Sequence, residues 1–335
     1  MKSTSIKDIA KIAGVSVATV SYVLNKKEGQ KISEATKARI LQIAKDINYQ
    51  PNKAAKGLKT SKSKLLGLVV ADISNEFYST LARKIENEAL KLGYSLIIGS
   101  SDENAEKFQM LVELFSQQQV DGLIIAPVAG SEKCLNDLVT KEYPVVMVDR
   151  FIEEVKIPAI VINNKEISKK ATQKLIEKNF DTLVYIGYKT SLAHLLDRER
   201  GFDEAVSNAE NHSRTEKLLV GLKGISEEIQ DGLQVLLGSK PKNTALYFSS
   251  NKLAVSGLKY LLQNDIKVPQ DVSVLAFDET EAYSLFPTKI TFLQQPLDEM
   301  AEKAVEVLDA LIGQYQADGT MTILSSELIE GESIK

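Results

Sequence analysis

Three charged residues have the chemistry of a polar ligand site or of an acid–base pair. Asp149 and Asp278 each come directly after an apolar run, and Arg198 opens the segment Arg-Glu-Arg-Gly-Phe. Carboxylates and a guanidinium fork hydrogen-bond sugar hydroxyls, and the fork can also bind a carboxylate or phosphate. Because no nucleophile–base pair accompanies the three residues, the sequence favours binding over catalysis.

Other reactive residues are few. Cys134 is the single cysteine, which excludes an internal disulfide framework and suits a reducing cytosol. His194 and His212 show no metal-ligand spacing, so we expect no metal site. No GxGxxG follows the first predicted strand, and we expect no cofactor. Without a signal-like start or a long apolar run, the sequence predicts a cytoplasmic protein.

The N-terminal segment has the spacing of a helix-turn-helix. Ala10 is small enough for two helices to cross closely, and Gly14 can take the positive φ of a sharp turn. Ser16 can cap the second helix, which would then be exposed and able to enter a DNA major groove. Val15, Val20 and Val23 form the apolar face that would join the two helices. The alternative interpretation of this spacing is an ordinary amphipathic helical hairpin.

Charge divides the chain into two unlike parts. Residues 1–60 hold twelve Lys or Arg and four Asp or Glu, a net charge of +8. The whole chain carries −4, so residues 61–335 carry −12. A basic arm on an acidic body predicts a polyanionic partner for the arm, because binding phosphates releases counterions.

A third helix and a short basic segment follow the helix-turn-helix. Ser33 is a plausible cap for the third helix, whose predicted apolar stripe is Ala35, Ala38, Leu41, Ala44 and Ile47. Residues 51–59 have helical spacing but are too few for a stable isolated helix in water. This segment is therefore either a flexible basic linker or a helix that orders only when something holds it.

From residue 65 onward, apolar runs alternate with amphipathic helical patterns. Near-continuous apolar runs are typical of strands that are buried on both faces. Their alternation with helices predicts an α/β fold with parallel, doubly wound sheets, most plausibly in two lobes. The predicted strands are 65–70, 95–98, 123–126, 145–148, 159–162, 183–186, 218–220, 245–248 and 272–277, with helices near 77–89, 103–118, 165–178, 226–237 and 251–264.

An ordered set of motifs gives the chain a family resemblance. It resembles the lactose-repressor/galactose-repressor (LacI/GalR) family of transcription factors over essentially its whole length. Each motif is weak alone, but their order is specific. The matching segments are SIKDIA and TVS near the N-terminus, NYQPN at 48–52, LGLVVADISN at 66–75, VDGLI at 120–124, VDR at 148–150, RERGF at 198–202, VPQDVSV at 268–274 and QP at 295–296.

The resemblance implies an all-α DNA-binding head on a two-lobed, periplasmic-binding-protein-like effector domain that acts as a homodimer on a double-stranded DNA operator. A small molecule would bind between the lobes, at the strand ends. The implied boundaries are a head at 1–50, a hinge and linker at 51–62 and an effector domain at 63–335. Within that domain, the N-lobe would comprise about 63–162 and 293–322, and the C-lobe about 163–292 and 323–335.

The resemblance also implies roles for individual residues. In related proteins the segment after the proline folds into a hinge helix on DNA, where a leucine wedges into the minor groove. Implied DNA contacts are Ser16, Val17, Ala18, Thr19, Ser21, Tyr22, Asn25, Lys53, Lys56 and Leu58. Implied effector contacts are Asp72, Asn75, Phe77, Asp149, Arg198, Asn251, Asp278 and Gln295.

Several positions depart from the family pattern. Tyr22 replaces the arginine most common there, so the sequence does not indicate which operator base this residue would contact. Lys252 stands where aspartate is frequent; it either favours an acidic ligand or faces solvent, and we favour solvent. Asn163 and Asn164 occupy a crossover where Asp-Asn is usual. The chain has no tryptophan, so any aromatic platform must come from Phe77, Tyr78 or Tyr283.

These features predict a repressor of a carbohydrate-utilisation operon that is released by a sugar, sugar acid or sugar phosphate. A corepressor-dependent or activating regulator of the same family is the alternative. A soluble sugar-binding protein is a rival of another class, against which the basic helix-turn-helix argues. An enzyme is the third possibility, and the sequence offers no catalytic set for it.

Overall fold

The computed structural model describes residues 5–25, 32–49, 63–209, 214–238, 243–316 and 318–335. The chain forms two compact units, Met1–Ser63 and Lys64–Lys335. We describe each unit by itself.

The first unit is a three-helix head. Its helices are α1 (Ile6–Ala13), α2 (Val17–Leu24) and α3 (Glu34–Asp46). Gly14 ends α1 with φ of 62°, the left-handed conformation expected for the turn. The Ser16 side chain accepts a hydrogen bond from the Thr19 amide at 3.1 Å and caps α2, as expected. The fully or nearly buried core comprises Ile9, Ala10, Ala13, Val20, Val23, Ile40 and Ala44.

The predicted apolar stripe of α3 was partly wrong. Leu41 is 52% exposed, whereas Ile40 is fully buried. Ala35 and Ala38 are also exposed, and Ala44 alone among the clearly predicted positions is buried. The buried face thus includes Ile40 in place of Leu41 and keeps Ala44, with Ile43 and Ile47 packed against it. Arg39 links α3 to the end of α1, because its Nη2 donates a hydrogen bond to the Ala13 carbonyl at 2.7 Å.

The second unit contains two parallel α/β lobes. The sheet of the N-lobe has the order β11-β5-β4-β3-β1-β2, with all neighbours parallel. Helices cover both faces, which accounts for the almost completely buried central strands. The elements are β1 (Leu65–Val70), α4 (Glu76–Lys91), β2 (Ser95–Ser100), α5 (Ala105–Gln117), β3 (Gly122–Ile125), α6 (Glu132–Thr140), β4 (Val145–Val148), β5 (Ala159–Ile162), α11 (Leu297–Gly313) and β11 (Met321–Leu324).

The C-lobe repeats this arrangement. Its sheet has the order β12-β10-β9-β8-β6-β7, and only β12 runs antiparallel, against β10. The elements are α7 (Asn164–Glu177), β6 (Thr182–Tyr188), α8 (Ala193–Ser207), β7 (Arg214–Val220), α9 (Ile225–Leu237), β8 (Thr244–Phe248), α10 (Asn251–Gln263), β9 (Val272–Phe277), a 3-10 helix (Glu281–Leu285), β10 (Thr291–Gln294) and β12 (Glu327–Ile329).

The chain passes three times between the lobes. It leaves the N-lobe after β5, returns after β10 and leaves again after β11. The second passage follows Gln294, because β10 pairs in the C-lobe sheet up to that residue. The third follows Leu324, the last residue of β11 that pairs in the N-lobe sheet.

Candidate ligand cleft and recognition helix

A cavity of about 90 Å³ lies at the carboxyl edges of the two sheets. In doubly wound folds this edge is where ligands bind. Seven of the eight residues expected to contact an effector line the cavity: Asp72, Asn75, Phe77, Asp149, Arg198, Asp278 and Gln295. The eighth, Asn251, is buried behind them, and its Nδ2 donates to Asn75 Oδ1 at 3.0 Å.

The N-lobe contributes Asp149, which directly follows β4. Its backbone has φ of 66°, a left-handed conformation that is uncommon outside glycine. The Tyr78 hydroxyl donates to its Oδ2 at 2.7 Å. Burial raises the pKa of Asp149, although the nearby Arg150 guanidinium and the Tyr78 hydrogen bond oppose the rise. Arg150 itself forms a two-armed ion pair with Glu103, at 2.8 and 2.6 Å.

The C-lobe contributes Asp278, which directly follows β9. Gln295 Nε2 donates to its Oδ1 at 2.6 Å, and Arg198 Nη1 lies 3.8 Å from Oδ2. Burial raises the pKa of Asp278, and the charge of Arg198 opposes the rise. The carboxyl group thus accepts a hydrogen bond from the neutral amide of Gln295 and faces the cation of Arg198.

Arg198 is fixed by three neighbours. Its Nε donates to Asn164 Oδ1 and its Nη1 to the Ser249 carbonyl, each at 2.8 Å. The guanidinium carbon lies 3.5 Å from the centre of the Phe277 ring. The residue is in the second turn of α8 (Ala193–Ser207). A rigidly positioned fork of this kind offers its remaining donors to a ligand with defined geometry.

Contacts also cross directly between the lobes. Lys252 Nζ of α10 forms an ion pair with Asp72 Oδ2, so the preferred expectation that Lys252 only faces solvent was wrong. Partial burial would raise the pKa of Asp72, but hydrogen bonds from Lys252 and Ser74 lower it below its ordinary value. A second bridge joins Glu76 of α4 to the Thr280 hydroxyl and to the Glu281 amide.

Sequence reasoning missed several lining residues. His194 is 6% exposed, and burial together with the cations of Arg150 and Arg198 lowers its pKa well below the ordinary value. His194 precedes Arg198 by four residues on the same helix face, and this spacing could have indicated that both line the cleft. The other missed residues are Glu103, Arg150, Tyr188, Leu195, Leu222, Ile225 and Ser250; Tyr78 and Lys252 had been considered only as alternatives.

In the head, the N-terminal turn of α2 is open to solvent. Ser16, Val17 and Ala18 are exposed, and Val17 exposes 43% of its surface. Ser16 and Thr19 are tied to each other through their hydroxyls at 2.8 Å, and Asn25 Nδ2 donates to the Ser21 carbonyl at 2.8 Å. Tyr22 is half-buried. Lys53, Lys56 and Leu58 lie outside the described residues.

The described ranges show neither a metal-binding cluster nor a membrane-spanning helix. No group of three or more His, Cys, Asp or Glu side chains within them is arranged to hold a metal ion. No helix in the same ranges is long and apolar enough to cross a membrane.

Comparison with known proteins identifies both parts of the chain. Residues 5–52 match the model for bacterial regulatory proteins of the lacI family, and residues 172–334 match a periplasmic binding protein-like domain. The transcriptional regulator RegA of Clostridium saccharobutylicum is 32% identical over 332 residues, covering 99% of both chains. The ribose operon repressor of Halalkalibacterium halodurans is 31% identical over 99% of this chain and 97% of its own.

Solved structures share the fold. A LacI-family regulator from Silicibacter pomeroyi superimposes with a TM-score of 0.82 at 23% identity, covering 99% of both chains. The lac repressor dimer, bound to operator and the anti-inducer ONPF, also gives a TM-score of 0.82, at 19% identity over 99% of both chains. The 32% identity to RegA over 99% of the chain, together with the lacI-family match at residues 5–52, establishes that the protein belongs to the LacI family of DNA-binding transcriptional regulators.

Proposed function

We propose that the protein represses a carbohydrate-utilisation operon and leaves its operator when a small sugar or sugar derivative binds in the cleft. The observation that carries the proposal is a cavity whose hydrogen-bonding walls come from both lobes, with Asp149 on one side and Arg198 and Asp278 on the other. The relative named as a ribose operon repressor supports a connection with carbohydrates. The protein would act as a cytoplasmic homodimer, and we assign it no catalytic activity.

The lobes offer a physical route from ligand to DNA. A ligand that bonds to both walls stabilises whichever lobe arrangement best accommodates it, and so shifts the population of arrangements. The direct bridges Lys252–Asp72 and Asn251–Asn75 also depend on that arrangement. Ligand binding and lobe position are therefore coupled through the same side chains.

Charge in the cleft favours an uncharged polyol over a sugar acid or sugar phosphate. The cations Arg150, Arg198 and Lys252 each face a carboxylate, namely Glu103, Asp278 and Asp72. Asp149 adds a fourth carboxyl group. An anionic ligand would have to displace one of these partners, whereas hydroxyls can both donate to the carboxylates and accept from Arg198. The ion pair at Lys252 removes the reason for expecting an acidic ligand.

The head would read the operator through α2. Val17, Ala18 and Tyr22 would meet base edges, while Ser16, Thr19, Ser21 and Asn25 would contact phosphates or stabilise the helix ends. From the family resemblance we also assign Leu58 to a minor-groove wedge and Lys53 and Lys56 to phosphates. We place the functional division of the chain at 1–50, 51–62 and 63–335.

The test is an operator titration with ligands that differ in charge. Fluorescence anisotropy would follow full-length protein on the DNA upstream of its own gene, with matched sets such as glucose, gluconate and glucose 6-phosphate and the corresponding pentoses. We expect a neutral sugar to release the DNA. The matched variant Asp278→Asn should bind DNA normally and fail to release it. If a sugar tightens DNA binding, the protein is a corepressor-dependent regulator. If no sugar changes DNA binding, the proposal is refuted.

A further inference from the structure

A second, larger cavity lies beside the cleft. It has a volume of about 580 Å³, within the range typical of small-molecule sites. One wall is formed by the first two turns of α4, with Glu76, Phe77 and Thr80; the opposite wall is the segment from Asp278 to Gln295. The effector proposal accounts for Phe77, Asp278 and Gln295, which line both cavities, and leaves the rest of the larger one without a role.

The walls of this cavity are acidic. Glu330 is paired with Lys174, and Asp278 faces Arg198. Three further carboxylates remain: Glu76 and Glu279, which accept hydrogen bonds from neutral groups, and the exposed Glu281. Against them the lining residues include a single cation, Lys289. The cavity therefore carries an excess of negative charge.

Two buried polar atoms in the same walls have no hydrogen-bond partner among the described residues. They are the hydroxyl of Tyr283 and Oε1 of Gln295, each on a side chain of a residue only 6% exposed. Burial raises the pKa of Tyr283 well above its ordinary value, and the charges of Asp278 and Glu76 raise it further. Leaving such groups unpaired costs free energy, which a ligand donor would recover.

Aromatic rings complete the lining. The rings of Tyr283 and Phe292 pack with centroids 5.8 Å apart, and Phe77 contributes a third ring from α4. Aromatic faces beside carboxylates attract organic cations, because both the ring quadrupole and the acidic groups favour positive charge.

We infer that this cavity binds a small organic amine, a protonated ammonium group on an apolar or aromatic body. The ammonium donates to the unpaired acceptors and carboxylates, and the body packs on the three rings. The walls come from both lobes, and Glu76 already bridges them by accepting from the Glu281 amide at 2.9 Å. Amine binding is therefore expected to alter the sugar concentration needed for DNA release, since two ligands that prefer particular lobe arrangements are coupled.

The experiment is equilibrium dialysis of the full-length protein with tyramine and with tyrosol, its neutral isostere in which a hydroxyl replaces the amine. Tyramine should bind at least about tenfold more tightly than tyrosol, the usual range for a charged hydrogen bond. Tyr283→Phe and Glu281→Gln should each weaken tyramine binding by about tenfold. Glu227→Gln, an acidic residue in the first turn of α9 that does not line the cavity, is the matched control and should change nothing.

Equal affinity for tyramine and tyrosol, no binding of tyramine at millimolar concentration, or an unchanged affinity in either test variant would overturn the inference. Lys252→Ala separates this inference from the proposed function. It alters the cleft and should change the sugar response while tyramine binding persists. If the protein binds tyramine but no sugar changes its DNA binding, the amine site stands and only the sugar proposal is refuted.

Discussion

Asp149 and Asp278 occupy equivalent positions in the two lobes. Each directly follows the strand that is third from one edge of its sheet, β4 in the N-lobe and β9 in the C-lobe. Their φ angles are 66° and 68°, and both residues are buried. The repeat of the lobe architecture thus delivers one strained, buried carboxyl group to each wall of the cleft. Strained and desolvated residues of this kind are concentrated at functional sites.

The first prediction concerns pH. Burial raises the pKa of both carboxyl groups above the ordinary value of 3.8. Between 3.8 and those raised values the folded state binds more protons than the unfolded state, so the free energy of unfolding should fall as pH rises through this window. Asp149→Asn should flatten this fall, because asparagine keeps an acceptor for Tyr78 and does not titrate. Urea unfolding at a series of pH values measures the slope.

Glu204 is a control for the sign of the change in unfolding free energy with pH. Hydrogen bonds from Lys165 and Lys169 lower its pKa to about 2. Its stabilising effect is therefore present above the unfolded carboxyl pKa and is lost as pH falls toward 2. Glu204→Gln should change the slope in the direction opposite to Asp149→Asn, and a change of the same sign in both variants would contradict the assignment.

The second prediction concerns the bridge between Lys252 and Asp72. Lys252→Ala and Asp72→Asn should each shift the effector concentration at half-release by several-fold, because the ion pair stabilises one lobe arrangement. In a double-mutant cycle on the free energy of unfolding, the two changes should be coupled by up to about 1 kcal/mol, since the pair is partly exposed. Strictly additive effects on both quantities would show that the contact has no role in either.

The third prediction concerns Gly201 in α8. A Cβ there would lie 2.3 Å from the Lys165 carbonyl oxygen of α7, so the two helices could not keep their spacing. Gly201→Ala should destabilise the protein by about 1–3 kcal/mol and weaken the effector response, because α8 also carries Arg198. Gly313→Ala is the matched control: no atom lies within 4 Å of its Cβ, and stability should be unchanged or higher. Thermal unfolding distinguishes the two.

The fourth prediction concerns Tyr22. Tyr22→Phe removes one hydroxyl and keeps the ring, so operator binding should weaken by about 0.5–1.5 kcal/mol, the range for one neutral hydrogen bond, while non-specific DNA binding is unaffected. Substituting each operator base in turn should locate the pair at which wild type and variant differ. If wild type and variant discriminate among bases identically, the residue packs within the head and does not read DNA.

The fifth prediction concerns Leu58, which lies outside the described residues. A minor-groove wedge stabilises only the kinked, specific complex. Leu58→Ala should therefore weaken operator binding much more than binding to random DNA in anisotropy titrations. An equal loss on both kinds of DNA would favour a plain linker.

The elements that sequence could predict are those with continuous apolar runs. All nine predicted runs form strands, and the central ones are buried on both faces, which leaves an unbroken apolar pattern. β10, β11 and β12 escaped notice, since each has only three or four residues and is only partly buried. In α3 the small alanines obscured which face packs, and Leu41 was placed inside where Ile40 belongs.

The cleft was predictable only in part for a related reason. Asp149 and Asp278 stand out because each directly ends a strand. Arg150 and Glu103 line the cleft as an ion pair. The two residues are 47 positions apart in the sequence, so no local spacing reveals the pair. Lys252 and Asp72 meet across 180 residues and two lobes. Long-range pairing between charged groups of this kind depends on the tertiary fold alone.

The course of the chain has a consequence for biosynthesis. The N-lobe needs α11 and β11, and the C-lobe needs β12 and Ser333, whose hydroxyl donates to the Val274 carbonyl at 2.6 Å. Because both lobes are closed by residues beyond 295, neither can reach its final packing on the ribosome until that last portion has emerged. The lobes are therefore expected to finish folding together after synthesis, and a lesion near residue 330 would affect the nascent protein as severely as one in an early strand.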